Sequence, residues 1–217
     1  MPVTLLALSD IHNQKITLEN ILNKVEELTE SIDACVIAGD ITNFGPYEDI
    51  NSILDTVLGF CKNTYYVLGN CDPYYNKDEI FTLAKYIESE PFRIDFFSIV
   101  GFGSHKPKLN HKLLKKMRKI GEKVCLLTHA PPYGTKVDMI SFDRHAGSEE
   151  IEFAIKKYQN IFLSISGHIH ESPSVSSFSN CTVINPGPVT RGNFALININ
   201  EEFSVKVKIY NIHEMKN

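Results

Sequence analysis

Seven residues of metal-ligand type stand just past five apolar runs. Asp10 and His12 follow Val3–Leu8, Asp40 follows Ala34–Ala38, Asn70 follows Tyr65–Leu68, His129 follows Val124–Thr128, and His168 with His170 follow Ile161–Ser166. Singly, each is an ordinary turn, cap or loop residue. The recurrence at five strand ends sets the group apart. Carboxylate, amide and imidazole donors without a thiolate suit Mn²⁺, Fe, Zn²⁺, Co²⁺ or Ni²⁺ in a reactive site better than they suit a structural zinc. Two carboxylates, four imidazoles and one amide exceed what one ion takes up. They fit two ions sharing a carboxylate, as in two-metal hydrolytic sites with ions about 3.5–4 Å apart. A water between such ions loses a proton near neutral pH and becomes a nucleophile.

The elements that must position these residues alternate along the chain. Ala34–Ala38 is apolar throughout, as a strand covered on both faces is. Gly39 permits a tight turn and sets Asp40 at the strand's carboxyl end, where open α/β sheets place their sites. Helical spacing joins Leu18, Ile21, Leu22, Val25 and Leu28, then Ile50, Ile53, Leu54, Val57, Leu58 and Cys61. The same spacing predicts a third helix from Ile80, Leu83, Ala84 and Ile87, and a short basic helix from Leu113, Leu114, Met117 and Ile120. Ser148 reads as the N-cap of a helix whose buried stripe is Ile151, Ala154, Ile155 and Tyr158, with Glu149 and Glu150 in its first turn. Phe96–Phe102 reads as a strand broken at Gly101-Phe102-Gly103, and residues 133–147 as a long loop. After His170 come only short β-like runs: Thr182–Ile184, Phe194–Ile199 and Phe203–Tyr210. The pattern predicts a largely parallel α/β arrangement finished by antiparallel hairpins, in two sheets each with one face under helices. Without repeats or linker-like composition, residues 1–217 read as a single domain.

The ordered set Asp10-x-His12, Gly39-Asp40, Gly69-Asn70, His129 and Gly167-His168-x-His170 resembles the motifs of the calcineurin-like metallophosphoesterases. Ala130-Pro131-Pro132, His145-Ala146-Gly147-Ser148 and Asn185-Pro186-Gly187 resemble features of the small prokaryotic, Icc-like members. The resemblance implies a four-layer α/β/β/α sandwich with two mixed β-sheets. It implies hydrolysis of a small phosphate ester, a diester or a monoester, by in-line attack of a metal-bridging hydroxide on two divalent ions, with manganese favoured. One ion would be held by Asp10, His12 and His170, the other by Asn70, His129 and His168, with Asp40 bridging. Asp40, Asn70 and His129 would then act catalytically through the metal-bound hydroxide. The rival readings are a nuclease or nucleotide pyrophosphatase on the same site, and a non-catalytic interaction scaffold of the same fold. Competent ligands at all seven positions count against the scaffold.

One position departs from the pattern. Many relatives carry a histidine after the Gly-Asn; here it is Cys71. A thiol, with a reference pKa near 8.5, is a poor replacement for an imidazole acid, and the simplest expectation is that Cys71 packs against the floor of the site. Hydrolysis should then depend on the metals and on leaving-group quality. Asn13 either contacts a phosphate oxygen or is a plain turn residue. His145, just before a helix start, either touches substrate or is a loop histidine, and His105 invites the same two readings.

Bulk properties narrow the class further. The chain has 217 residues, 43% apolar and 22% charged, with a formal net charge of −4. That balance gives no electrostatic case for duplex nucleic acid as a general partner. Lys112, Lys115, Lys116, Arg118 and Lys119 make one basic helix face, which is a solvated surface or a contact for an acidic partner or nucleic acid. The five cysteines are scattered without a C-x-x-C pair, which predicts a reduced, cytoplasmic protein. The first apolar run is too short for a signal segment, and none reaches membrane length. The terminal strands offer an edge at which a second copy could pair.

Overall fold

The computed structural model describes residues 2–88, 90–104 and 108–215. His105 lies outside the described residues. In chain order the strands and helices are β1 (Val3–Leu8), α1 (Lys15–Leu28), β2 (Ala34–Ala38), α2 (Tyr47–Phe60), β3 (Thr64–Val67), β4 (Lys85–Tyr86), β5 (Phe92–Ile94), β6 (Phe97–Phe102), α3 (His111–Lys119), β7 (Val124–Thr128), β8 (Met139–Ser141), β9 (Arg144–His145), α4 (Glu149–Lys157), β10 (Ile161–Ile165), β11 (Ser174–Phe178), β12 (Cys181–Asn185), β13 (Asn193–Ile199) and β14 (Val205–Asn211).

Two six-stranded sheets result, in the orders β14-β13-β1-β2-β3-β4 and β11-β12-β10-β7-β6-β5. In the first, β1 to β4 run parallel, while β13 lies antiparallel to both β1 and β14. In the second, β12, β10, β7 and β6 run parallel, with β11 and β5 antiparallel at the edges. Both sheets are mixed, as expected.

The apolar strands divide their side chains between two sides, since successive residues of a strand point to opposite faces. Val3, Leu5 and Ala7 of β1 face β7 residues Cys125 and Leu127 across a core between the sheets. Leu6 and Leu8 face the other way, against Leu18, Ile21, Ile53 and Leu54 of α1 and α2. Val124 and Leu126 of β7 meet Leu114, Met117, Ile151 and Ile155 of α3 and α4 in a third cluster. Three apolar interfaces separate four layers, and the order is α/β/β/α. Among the described residues no helix is long and apolar enough to cross a membrane.

The third predicted helix does not form. Ile80 and Ala84 pack on the α1/α2 side, Ile87 enters the core between the sheets, and Leu83 is 88% exposed. The segment is instead irregular and ends in β4, which pairs parallel to β3. A helical stripe would have placed all four residues on one face. Gly101 does not break its strand; β6 runs through it to Phe102. The expected loop of residues 133–147 contains the small ribbon β8–β9, and β11 was not anticipated.

Candidate metal centre

The ends of β1, β2 and β3 in one sheet meet those of β7 and β10 in the other, bringing together all seven expected ligand residues. Two glycines make this approach possible. A Cβ on Gly39, whose φ is +84°, would lie 2.6 Å from His129 Nδ1. A Cβ on Gly69 would lie 2.0 Å from Asp40 Oδ1. The backbone is held in the left-handed region at four of the seven residues: Asp10 (φ 52°), His12 (44°), Asp40 (50°) and His168 (67°). Such conformations cost L-residues about 1–2 kcal/mol each and persist where the surroundings impose them.

Backbone hydrogen bonds impose them here. The amides of Asp10, His12 and Asn13 donate to Gly39, Asp40 and Ile41 carbonyls, which zips the β1 and β2 loops together. The Gly167 amide donates to the His129 carbonyl, joining the β10 and β7 loops. Other bonds cross between the sheets, two of them at this point. The Ala38 carbonyl lies 2.8 Å from His129 Nδ1, and the His168 amide donates to Asp10 Oδ2 at 3.1 Å.

The carbonyls also orient the imidazoles. Ala38 O requires the N–H on His129 Nδ1, and Thr42 O at 3.2 Å requires it on His12 Nδ1. In each neutral ring the Nε2 lone pair then points into the cluster, the tautomer a metal ligand needs. Asp40 Oδ2 lies 3.4 Å from His129 Nε2 and 3.7 Å from His12 Nε2, while its Oδ1 accepts the Cys71 amide at 2.8 Å. His170 Nε2 lies 3.1 Å from Asp10 Oδ1.

These contacts test whether the residues fit an ion. His129 Nε2 is faced at once by Asn70 Oδ1 (3.0 Å), His168 Nδ1 (3.1 Å) and Asp40 Oδ2 (3.4 Å). A single N–H cannot serve three such partners. Donors that each bind one ion at about 2.1 Å lie about 3–3.5 Å apart, as these do. The groups Asp10–His12–His170 and Asp40–His129–His168 each gather their ligand atoms within 4.8 Å. The donor set therefore fits two cations with Asp40 between them.

Without an ion, protons take the cations' place. Burial works against the charged His129 ring, yet its hydrogen bond to Asp40 and the charges of Asp40 and Asp10 raise it to about 9. Burial likewise opposes ionisation of Asp40, but the bond and charge of His129 and the Cys71 amide hold it well below the usual carboxylate range. Asp10 is lowered too, burial being outweighed by His170 and His129. The bond to Asp10 raises His170 in turn, partly offset by its burial.

The other candidates fall in different places. Cys71 is buried at the floor beside Asp40, and its sulfur accepts the Asn70 amide at 3.3 Å. Burial, then the Asp40 charge, pushes its thiol up to about 12. Asn13 spends its backbone N–H on Ile41 O and its side-chain amide on Asp49. His145 lies on β9, outside the ligand groups, with Nδ1 2.7 Å from the fully buried Asp138.

A supporting shell surrounds these residues, and only its Asn185 stands in a motif legible in the sequence. Asp72 accepts the amides of Gly69, Ile41 and Thr42 and the Thr42 hydroxyl, so it clamps the loops carrying Asp40 and Asn70. Asn185, buried in the Asn-Pro-Gly turn, donates to Ile169 O and fixes the loop between His168 and His170. Arg191 donates to the His170 carbonyl at 2.9 Å. For Asp72 the available signal was position, two residues past Asn70 at a strand end.

Known proteins share this fold. The profile of the calcineurin-like phosphoesterases matches residues 3–172. An uncharacterized protein of Methanocaldococcus jannaschii, MJ1162, is 31% identical over 183 residues, which are 76% of this chain and 81% of that one. The crystal structure of TT1561 from Thermus thermophilus superposes with a TM-score of 0.73 at 15% identity, covering 96% of this chain and 99% of that one. A dimetal phosphatase from Danio rerio gives 0.63 at 13% identity, covering 92% and 93%. At those identities the two structures speak for the fold alone. The family match spans the five strands that frame the centre and all seven ligand candidates, and the chain belongs to the calcineurin-like phosphoesterases, metal-dependent hydrolases of phosphoric esters.

Proposed function

We propose that residues 1–217 work as one domain that hydrolyses a small phosphate ester, diester or monoester, with two divalent ions, manganese favoured. Asp10, His12 and His170 would hold one ion and Asn70, His129 and His168 the other, with Asp40 shared between them. The observation that carries this reading is Asp40 Oδ2, set 3.4 and 3.7 Å from imidazole nitrogens of the two groups. When bound, such a pair supplies an acidic water for in-line attack at phosphorus and positive charge for the phosphoryl oxygens.

The chain's own residues prepare that chemistry. Two carboxylates against two divalent cations leave a net positive centre, and the neutral amide of Asn70 adds no charge, so an anionic ester is attracted. Ala38 O and Thr42 O fix the imidazole tautomers before any ion arrives. Asp72 holds the β2 and β3 loops, which limits rearrangement during turnover. The five cysteines are buried and unpaired, in support of a reducing, cytoplasmic setting.

The test is metal analysis of the purified chain together with hydrolysis of p-nitrophenyl phosphate and bis(p-nitrophenyl) phosphate in added Mn²⁺. Two ions per chain and turnover of either ester are expected. A chain that takes up no transition metal and cleaves neither ester would be a scaffold of this fold instead.

A further inference from the structure

A cavity of about 490 Å³ adjoins the metal centre, with Gly69 and Asn70 in its lining. That volume suits a small-molecule group. Its walls are chemically uneven. On one side the rings of Tyr75 and Tyr86 stack at 4.0 Å and 9°. Tyr86 leans in turn on the buried ring of Tyr66 in β3, which makes the stack rigid. Tyr75 stays 45% exposed, so the stack keeps an open face.

Two carboxylates also line the cavity, and only one is available. Asp72 is engaged by three backbone amides and a hydroxyl. Glu88 uses Oε2 to accept the Gly103 amide at 2.6 Å and the Tyr86 hydroxyl at 3.4 Å. Its Oε1 has no hydrogen-bond partner among the described residues. Burial raises the Glu88 carboxyl above its ordinary value, against the pull of the Gly103 amide. An acceptor oxygen held in a partly desolvated wall rewards a ligand that brings a donor.

We propose that this cavity is the leaving-group subsite, and that it takes a planar ring with a hydrogen-bond donor on its edge, Tyr75 stacking on the face and Glu88 Oε1 accepting from the edge. The inference rests on the phosphoesterase reading of the adjoining centre. Stacking on an aromatic platform tolerates any flat ring, so Glu88 is the residue that discriminates among rings. Glu88→Gln makes a directional test. The Gly103 amide demands an acceptor, so the glutamine oxygen stays there and its NH₂ faces the cavity, a donor where the wild type offers an acceptor.

Adenosine 5′-monophosphate, purine riboside 5′-monophosphate and ribose 5-phosphate share one leaving alcohol and differ only in the group the cavity would hold. With Mn²⁺, kcat/KM should rise on the order of tenfold from ribose 5-phosphate to the purine riboside ester, and on the order of tenfold again with the amine of adenine. Tyr75→Ala should collapse the first ratio and Glu88→Gln only the second. Calorimetric binding of adenosine reads the same cavity without turnover and should weaken about tenfold in Tyr75→Ala. If p-nitrophenyl phosphate and all three esters resist hydrolysis but adenosine binds in this Tyr75-dependent way, the phosphoesterase reading fails and the subsite stands. Wild-type ratios within twofold, ratios that neither substitution changes, or no adenosine binding would overturn the subsite.

Discussion

A single oxygen, Asp40 Oδ2, lies between the imidazoles of His12 and His129, while the partner oxygen is pinned by the Cys71 amide. Asp40→Ala should therefore empty both metal positions together, whereas His170→Ala or His129→Ala should weaken mainly one. Metal content after dialysis against Mn²⁺ decides it, and retention of two ions by the Asp40 variant would break the assignment. Cys71 stands beside it inside the cluster, its sulfur gathered within 4.8 Å of ligand atoms of His12 and Asp40. In the ion-free protein burial, then the Asp40 charge, pushes its thiol up to about 12, and its sulfur accepts the Asn70 amide. Cys71→Ala should leave the slope of log kcat against leaving-group pKa as it is in the wild type; a changed slope would make the thiol a participant.

The elements explain why some of this was legible and some was not. Each ligand candidate follows a strand buried on both faces, and such strands show as unbroken apolar runs ending in glycine or a polar residue. The region from Ile80 to Ile87 imitates a helix because its apolar residues happen to fall three and four apart, yet they serve two different cores. β11 is rich in serine and half exposed, so it carries little pattern to read. Asp72 and Asp138 sit in turn-like sequence, where an aspartate is commonplace, and only the fold shows their carboxylates turned inward. Of the two helix starts capped by a side chain, the one at Ser148 was readable in the sequence and the one at Asn110 was not. Asn110 accepts the Leu113 amide at 3.0 Å to begin α3, and Ser148 accepts that of Ile151 at 3.4 Å to begin α4. Asn110→Ala should cost about 1 kcal/mol in urea denaturation, and Ser148→Ala less, since its bond is longer.

At the scale of the whole molecule the centre couples the two sheets, so protonation there reaches global stability. His129 in the ion-free protein holds its proton to about pH 9, above the ordinary imidazole value of 6.5. A raised folded-state pKa means that the stabilisation is full below about 6.5 and is lost as pH climbs through 9. The Tm of the chelator-treated protein should fall across that window, and His129→Gln should flatten the fall. Mn²⁺ added at pH 7.5 should release protons, because a ligating imidazole gives up the one it holds. The sheet order has a further consequence during synthesis. In the first sheet β1 is an inner strand, with Val3 paired to Ile199 of β13. A growing chain that has already made His170, the last of the ligand candidates, still presents one bare edge of β1 to its neighbours on the polysome. Such an edge is a template for pairing between chains. A chain stopped after residue 192 should accordingly associate, as light scattering would reveal, and a monodisperse truncated monomer would refute this. The nascent protein thus carries all seven candidates well before it is safe from its own copies.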